Sequence, residues 1–165
     1  MKLIKEIFNE CIGLSSNKKD RVYNLARSSR AVVFNGDRVA LLNVKNEGYH
    51  KLPGGKIDKD ETREEAVIRE VSEEIGYKMN ITEELGLIIE YSDDTSFMQL
   101  SFAYKGIILE KSNINLSENE INQGIEVEWY YIDEAIKILR EEKPDSYHGK
   151  FIVNRDLSFL EEALK

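Results

Sequence analysis

Residues Gly54–Tyr77 read GGKIDKDETREEAVIREVSEEIGY and carry eight acidic side chains against four basic ones. Thr62 and Glu65 form a T-x-x-E pair ahead of an apolar-periodic run, the signature of a capped helix start. Gly76 supplies the stop. At roughly 100° per residue, Val67, Ile68, Val71 and Ile75 share one side of this helix, the stripe that buries against a sheet. Glu70, Glu73 and Glu74 fall on a neighbouring side at i, i+3 and i+4, with Ala66 beside them. Like charges at that spacing repel. No Lys or Arg follows Glu70 inside the helix to balance them. Either the face is solvated, or a hard divalent cation sits among the carboxylates. The missing counter-charges favour the cation. A calcium loop beginning at Asp58 is excluded: its sixth position is Arg63, where the turn needs Gly, and its twelfth is Arg69, where a bidentate Glu belongs.

The elements around this helix set the fold class. Upstream, RAVVF and RVALLNV flank Asn35-Gly36-Asp37, a strong hairpin signal, so a hairpin is expected over Arg30–Val44. Pro53, Gly54 and Gly55 then make a tight loop. Residues 2–12 show a helical period that also fits an apolar strand. Downstream, LGLIIEYSD, MQLSFAYKGIIL and EVEWYYI read as strands. Asp133 is expected to cap a helix, EAIKILREE, that stops before Pro144. DLSFLEEALK reads as a last helix with Leu157, Leu160 and Leu164 on one face, and SYHGKFIVNRD as the loop leading to it. Strict βαβα alternation is missing, so a doubly wound parallel sheet is excluded and an α+β arrangement, a mixed sheet with helices on its faces, is expected.

The chain has 165 residues, 41 % apolar and 33 % charged, which suits one globular domain spanning 1–165. Its net charge of −8 argues against a polymeric nucleic-acid partner. A small phosphorylated ligand is still admissible if a cation stands between the negative charges. No apolar run approaches the roughly 20 residues of a membrane span. The first residues make a poor signal peptide. The single cysteine, Cys11, offers neither an internal disulfide nor a multi-cysteine zinc site, and a cytoplasmic location is expected.

The spacing Gly55, Glu61, Arg69-Glu70, Glu73-Glu74, Gly76 resembles the Nudix box of the Nudix hydrolases, and all seven charged or glycine positions are filled. Tyr77 departs from the family's aliphatic preference, at little cost because a Tyr ring can also be buried. LPGG upstream and EVEWYYIDEA downstream are similar to the family as well, so the resemblance covers about Arg30 to Leu139. It implies an α/β/α sandwich with a mixed, curved sheet. It also implies a pyrophosphohydrolase that uses Mg²⁺, or alternatively Mn²⁺, to cleave a nucleoside diphosphate linked to another group by water attack on phosphorus. By matching position, Glu70, Glu73, Glu74 and the Gly54 carbonyl are the expected metal ligands. Gly55, Glu61, Arg69 and Gly76 are expected to support the site, Glu61 and Arg69 as an ion pair. The general base is expected among Glu70, Glu73, Glu120 and Glu126, the last two read as residues of the loop before the late strand.

Tyr49, His50, Lys51 and Lys150 are candidates for substrate contact, each weighed against ordinary packing or a surface position. Tyr91 and Phe97 are further aromatics able to stack on a base. Residues 1–29 lie outside the resemblance and either mediate a homodimer or cover the sheet. A non-catalytic, nucleotide-binding regulatory relative is the alternative function, although such a protein has no need of every metal ligand. An isomerase of the isopentenyl diphosphate type fits worse, because the one Cys lies far from the box and only two His occur.

Overall fold

The computed structural model describes residues 1–16, 20 and 22–165. Eight strands form one mixed sheet: β1 (Leu3–Ile7), β2 (Asn24–Asn35), β3 (Arg38–Val44), β4 (Tyr49–Lys51), β5 (Gly54–Lys56), β6 (Tyr77–Ser92), β7 (Phe97–Lys111) and β8 (Ile125–Tyr131). The order is β1-β6-β7-β2-β3-β4, with β5 paired to β2 and β8 to β3. β1–β6 and β2–β7 are parallel and the other pairs antiparallel. The helices are α1 (Arg63–Ile75), α2 (Glu118–Gln123), α3 (Ile132–Glu141) and α4 (Tyr147–Glu162). α1 packs on β2, β5 and β6, α3 on β3, β4 and β8, and α4 on β1, β4 and β6. This is the expected α+β arrangement, a mixed open sheet flanked by helices. Among the described residues, no helix is long and apolar enough to cross a membrane.

The hairpin forms where expected, with Phe34 opposite Val39 and Asn35 opposite Arg38. Beyond that turn β2 leaves β3. It pairs instead with β5 at Ser28–Arg30 and with β7 along most of its length, while β3 pairs with β4 and β8. The split carries Gly54 and Gly55 onto β2 and under α1. At Gly54, φ is +132°, and an added Cβ would stand 2.9 Å from Arg30 Cα and 3.0 Å from Ser29 C. Only glycine allows so close a backbone approach.

Several expectations are corrected. Residues 3–7 are a strand followed by a 3₁₀ turn at Asn9–Ile12, because parallel pairing with Leu87–Glu90 overrides a weak helical period. Asp133 does not cap α3; the N-cap is Tyr131, whose backbone N–H donates to Glu134 at 3.2 Å. α4 begins at Tyr147 rather than Asp156. Its cap is Ser146, which accepts from Gly149 N at 3.1 Å. Gly149 lies where a Cβ would meet Pro144 and Tyr49 at 2.8 and 3.1 Å. Phe151, Phe159 and Leu160 are buried on this helix, whereas Leu164 lies beyond it and is exposed. The stretch after Leu116 forms α2, opened by a Ser117–Glu120 capping box, and Glu126 lies on β8 rather than in a loop.

The N-terminal segment is tied to both α4 and the β6–β7 turn. Asn9 is fully buried and accepts a hydrogen bond from Tyr147 Oη at 2.6 Å. Its Nδ2 donates to Ser15 O and to Asp94 Oδ1, and Asp94 N donates to Tyr147 Oη. Phe8 stacks on Tyr91 with ring centres 4.6 Å apart.

Candidate active site

The buried stripe of α1 is Ala66, Val67, Val71 and Ile75, without the expected Ile68, which is exposed, and it fixes the rotation of the helix. That rotation turns Glu70 and Glu74 toward the Gly54–Gly55 strand. Glu74 is 2 % exposed, and its Oε2 accepts from Gly54 N at 2.6 Å. Its Oε1 has no hydrogen-bond donor among the described residues, although Lys51 Nζ lies 3.5 Å away. Burial pushes the Glu74 carboxyl up to about 7, with Lys51 and the Gly54 N–H opposing. Burial also raises Glu70, against the pull of Arg69. Gly55 leaves room for Glu70: an added Cβ would come within 2.5 Å of its Cδ and 2.6 Å of its Oε2.

Arg69 organises the acids around it. Its Nε and Nη2 donate to the two oxygens of Glu61 at 2.8 and 3.0 Å, a bidentate pair. Nη1 donates to Glu70 at 2.8 Å and Glu73 at 3.2 Å. The hydrogen bonds from Arg69 hold Glu61 below the usual carboxylate range, and those same bonds raise Arg69 above its own.

Glu120 arrives from a different part of the chain. The segment before α2 is laid along the end of α1: Ser112 N donates to Gly76 O at 2.9 Å and Asn115 N to Glu73 O at 2.8 Å. The Ser117–Glu120 capping box then starts α2. Carboxylate oxygens of Glu70, Glu74 and Glu120 thereby lie within 4.8 Å of one another. Three converging carboxylates, one buried with an oxygen lacking a donor, repel unless a positive charge joins them. A donor set made of oxygens alone fits a hard divalent cation such as Mg²⁺ or Mn²⁺.

The grouping differs from the expected one. Glu73 is not in the triplet; its carboxylate is on Arg69. Glu126 is ion-paired with Lys45, in the turn just after β3, and sits opposite Asn43 of β3. The Gly54 carbonyl accepts a hydrogen bond from Arg30 Nη1. Gly76, in the left-handed region at φ +73°, closes α1. Of the four substrate candidates, Lys51 stands beside the carboxylates. Tyr49 is 3 % exposed and belongs to the core. His50 spends Nδ1 on Glu142 and Nε2 on Glu128. Burial works against its charge, but those two carboxylates outweigh it and raise the imidazole. Lys150 lines a separate cavity with Arg140, Pro144 and Asn154.

Two residues went unread. Arg30 looked like the first residue of a strand, yet it reaches the Gly54 carbonyl. Glu64 looked incidental, yet it accepts from the buried Tyr104 hydroxyl at 2.7 Å. Both contacts are tertiary, and no local pattern signals them.

Comparison with known proteins follows this geometry. The NUDIX domain family model matches residues 24–151. A methanol dehydrogenase activator of Bacillus methanolicus is 27 % identical over 156 residues, 84 % of this chain and 80 % of that protein. A diphosphoinositol polyphosphate phosphohydrolase of Homo sapiens is 31 % identical over 101 residues, 61 % of this chain. The match spans about half of that relative's length, 52 %. Among solved structures, a NUDIX hydrolase from Nitrosomonas europaea shares the fold with a TM-score of 0.66 at 18 % identity, covering 86 % of this chain and 89 % of that one. A MutT protein from Methanosarcina mazei gives 0.59 at 21 % identity, covering 87 % and 98 %. With the family model covering most of its length, the chain belongs to the Nudix hydrolase family, enzymes that cleave phosphoanhydride bonds.

Proposed function

We propose that this enzyme hydrolyses the pyrophosphate linkage of a nucleoside diphosphate derivative, with a divalent cation held by Glu70, Glu74 and Glu120. The observation that carries this reading is the convergence of those three carboxylates, one of them the buried Glu74, whose Oε1 has no hydrogen-bond donor among the described residues. When bound, Mg²⁺ or Mn²⁺ would neutralise phosphate charge and acidify a coordinated water. The chain's own residues do the rest. Glu73, beside the cluster, takes the proton as water attacks phosphorus. Arg69 and Glu61 hold Glu70 in place from behind. Lys51, beside Glu74, offers a positive charge to the phosphate oxygens. The names of a relative, a diphosphoinositol polyphosphate phosphohydrolase, and of a protein of like fold, a UDP-X diphosphatase, agree with this bond type.

A second reading, a regulatory protein that binds nucleotide without turnover, is favoured by the relative named as a methanol dehydrogenase activator. A panel of nucleoside triphosphates, sugar nucleotides, ADP-ribose and dinucleoside polyphosphates, assayed with Mg²⁺ and with Mn²⁺, separates the two. Metal-dependent release of a monophosphate product from any panel member supports hydrolysis. A folded protein that binds panel members and turns over none supports the regulator.

A further inference from the structure

Apart from the carboxylate cluster, a cavity of about 310 Å³ opens between β2, the β6–β7 turn and α4. Arg155 of α4 lies in its wall and is 1 % exposed. Its Nε donates to Asp156 at 2.7 Å and its Nη1 to Glu90 at 3.4 Å, but its Nη2 has no hydrogen-bond partner among the described residues. Arg30 enters from β2 with Nη1 on the Gly54 carbonyl and a buried Nε that is equally unpaired. The Thr95 hydroxyl, in the same cavity, is a third buried group without a partner among the described residues. Buried polar groups are nearly always paired, so three orphans in one cavity point to a missing partner rather than to chance.

The chemistry of that partner follows from the donors. A guanidinium has only donors and no acceptor, so the partner must present acceptor atoms. Asp156 and Glu90 already balance the two guanidinium charges, so neutral carbonyl oxygens suit the cavity as well as phosphoryl oxygens do. Burial and the neighbouring Arg155 both weaken the hold of Arg30 on its proton, a repulsion that an acceptor between the two would relieve. Phe97 and Phe151 add aromatic walls. Arg30 also links the two sites, since it holds the carbonyl of Gly54, whose N–H holds Glu74.

We propose that this cavity binds the part of the substrate beyond the pyrophosphate and selects for oxygen acceptors, read by Arg155, Arg30 and Thr95. The proposal rests on the hydrolase reading only for what the cavity serves. Those oxygens belong either to an oxo-bearing nucleobase or to a second phosphoryl group. A base that turns an amino group to the same donors leaves both sides unpaired, the situation that gives polar sites their discrimination.

The test is equilibrium binding of compounds without an anhydride bond, measured calorimetrically on the whole chain with Mg²⁺ present. One arm compares IMP with AMP and UMP with CMP, pairs that exchange an oxo for an amino group. The other compares a sugar bisphosphate with its monophosphate. A preference of about tenfold or more for the acceptor-bearing member of either arm is expected, and the arm that shows it names the source of the oxygens. Thr95→Val keeps the buried ion pairs and the shape, and should cut that preference several-fold; Arg30→Lys should do the same. A preference below about threefold in both arms, absence of binding included, overturns the proposal. So does a preference that Thr95→Val leaves intact. Pyrophosphate hydrolysis is assayed alongside. Hydrolysis without preference removes this proposal alone, and preference without hydrolysis removes the assigned reaction alone.

Discussion

Gly55→Ala should separate the site from the fold. The added methyl group would stand 2.5 Å from Glu70 Cδ and 2.6 Å from Oε2, whereas a comfortable carbon–oxygen contact is about 3.5 Å. The Glu70 carboxylate must therefore retreat by about 1 Å. It lies at the end of a flexible side chain, so the move is cheap, and a stability loss within about 1 kcal/mol is expected. Catalysis is less forgiving: a 1 Å displacement of a positioned group costs on the order of 10² in rate. Gly54→Ala is the contrast. There the methyl group meets Ser29 and Arg30 backbone, which cannot retreat, at a φ of +132°. Stability should fall by several kcal/mol. The assay pairs urea unfolding with metal-dependent hydrolysis, each followed as a function of Mg²⁺ concentration. Gly55→Ala should keep its unfolding midpoint near wild type, lose about 10² in kcat/KM and need more Mg²⁺. Wild-type activity in a stably folded Gly55→Ala would refute the role given to Glu70.

Other perturbations follow from particular residues. Glu74 has a folded pKa of about 7, raised above its ordinary value of 4.5 by burial. Between those values the native state holds a proton that the unfolded chain has lost, so metal-free protein should lose stability as pH rises from 4.5 to 7, by about 3 kcal/mol at most. Glu74→Gln should remove that slope and also the stabilisation by added Mg²⁺; a metal-free protein whose stability rises over this range would contradict the placement of Glu74. Glu73→Gln tests the proton-accepting role, and Glu120→Gln the cation-holding one. Glu73→Gln should lose roughly 10²–10⁴ in kcat without a fall in stability, and a near wild-type rate in either variant would exclude the role it tests. Asn9→Leu removes the acceptor of the Tyr147 hydroxyl and should lower the unfolding free energy by about 1–3 kcal/mol. An unchanged denaturant midpoint would show that the N-terminal segment does not brace α4.

α1 was legible because its signals are local: a cap, a stop and a periodic stripe all fall within Thr62–Gly76, and the Asn35-Gly36 hairpin is of the same kind. The start of α4 was hidden because SYHGKFIVNRD, after the break at Pro144, reads as a loop, while Gly149 sits in close contact with Tyr49 and Pro144. α2 carries the same S/T-x-x-E signature that marks α1, at Ser117–Glu120, within a stretch that otherwise reads as the loop before the late strand. The candidate site was legible where it lies on one helix. Its third carboxylate depends on Asn115 docking on Glu73, and the neighbouring cavity on Arg30 and Arg155, more than a hundred residues apart. Contacts of that range leave no periodicity in the sequence. For the same reason the parallel pairing of β2 with β7 could not be read from either strand alone.

The most direct test of a carboxylate-bound cation at work is hydrolysis of nucleoside diphosphate derivatives in ¹⁸O-labelled water, with and without Mg²⁺. Wild type should turn over at least one substrate only when the metal is present, with one ¹⁸O delivered to a phosphate product, and Glu70→Gln should abolish that incorporation. Turnover that survives complete chelation of divalent ions, or undiminished in Glu70→Gln, would contradict the site assigned to Glu70, Glu74 and Glu120.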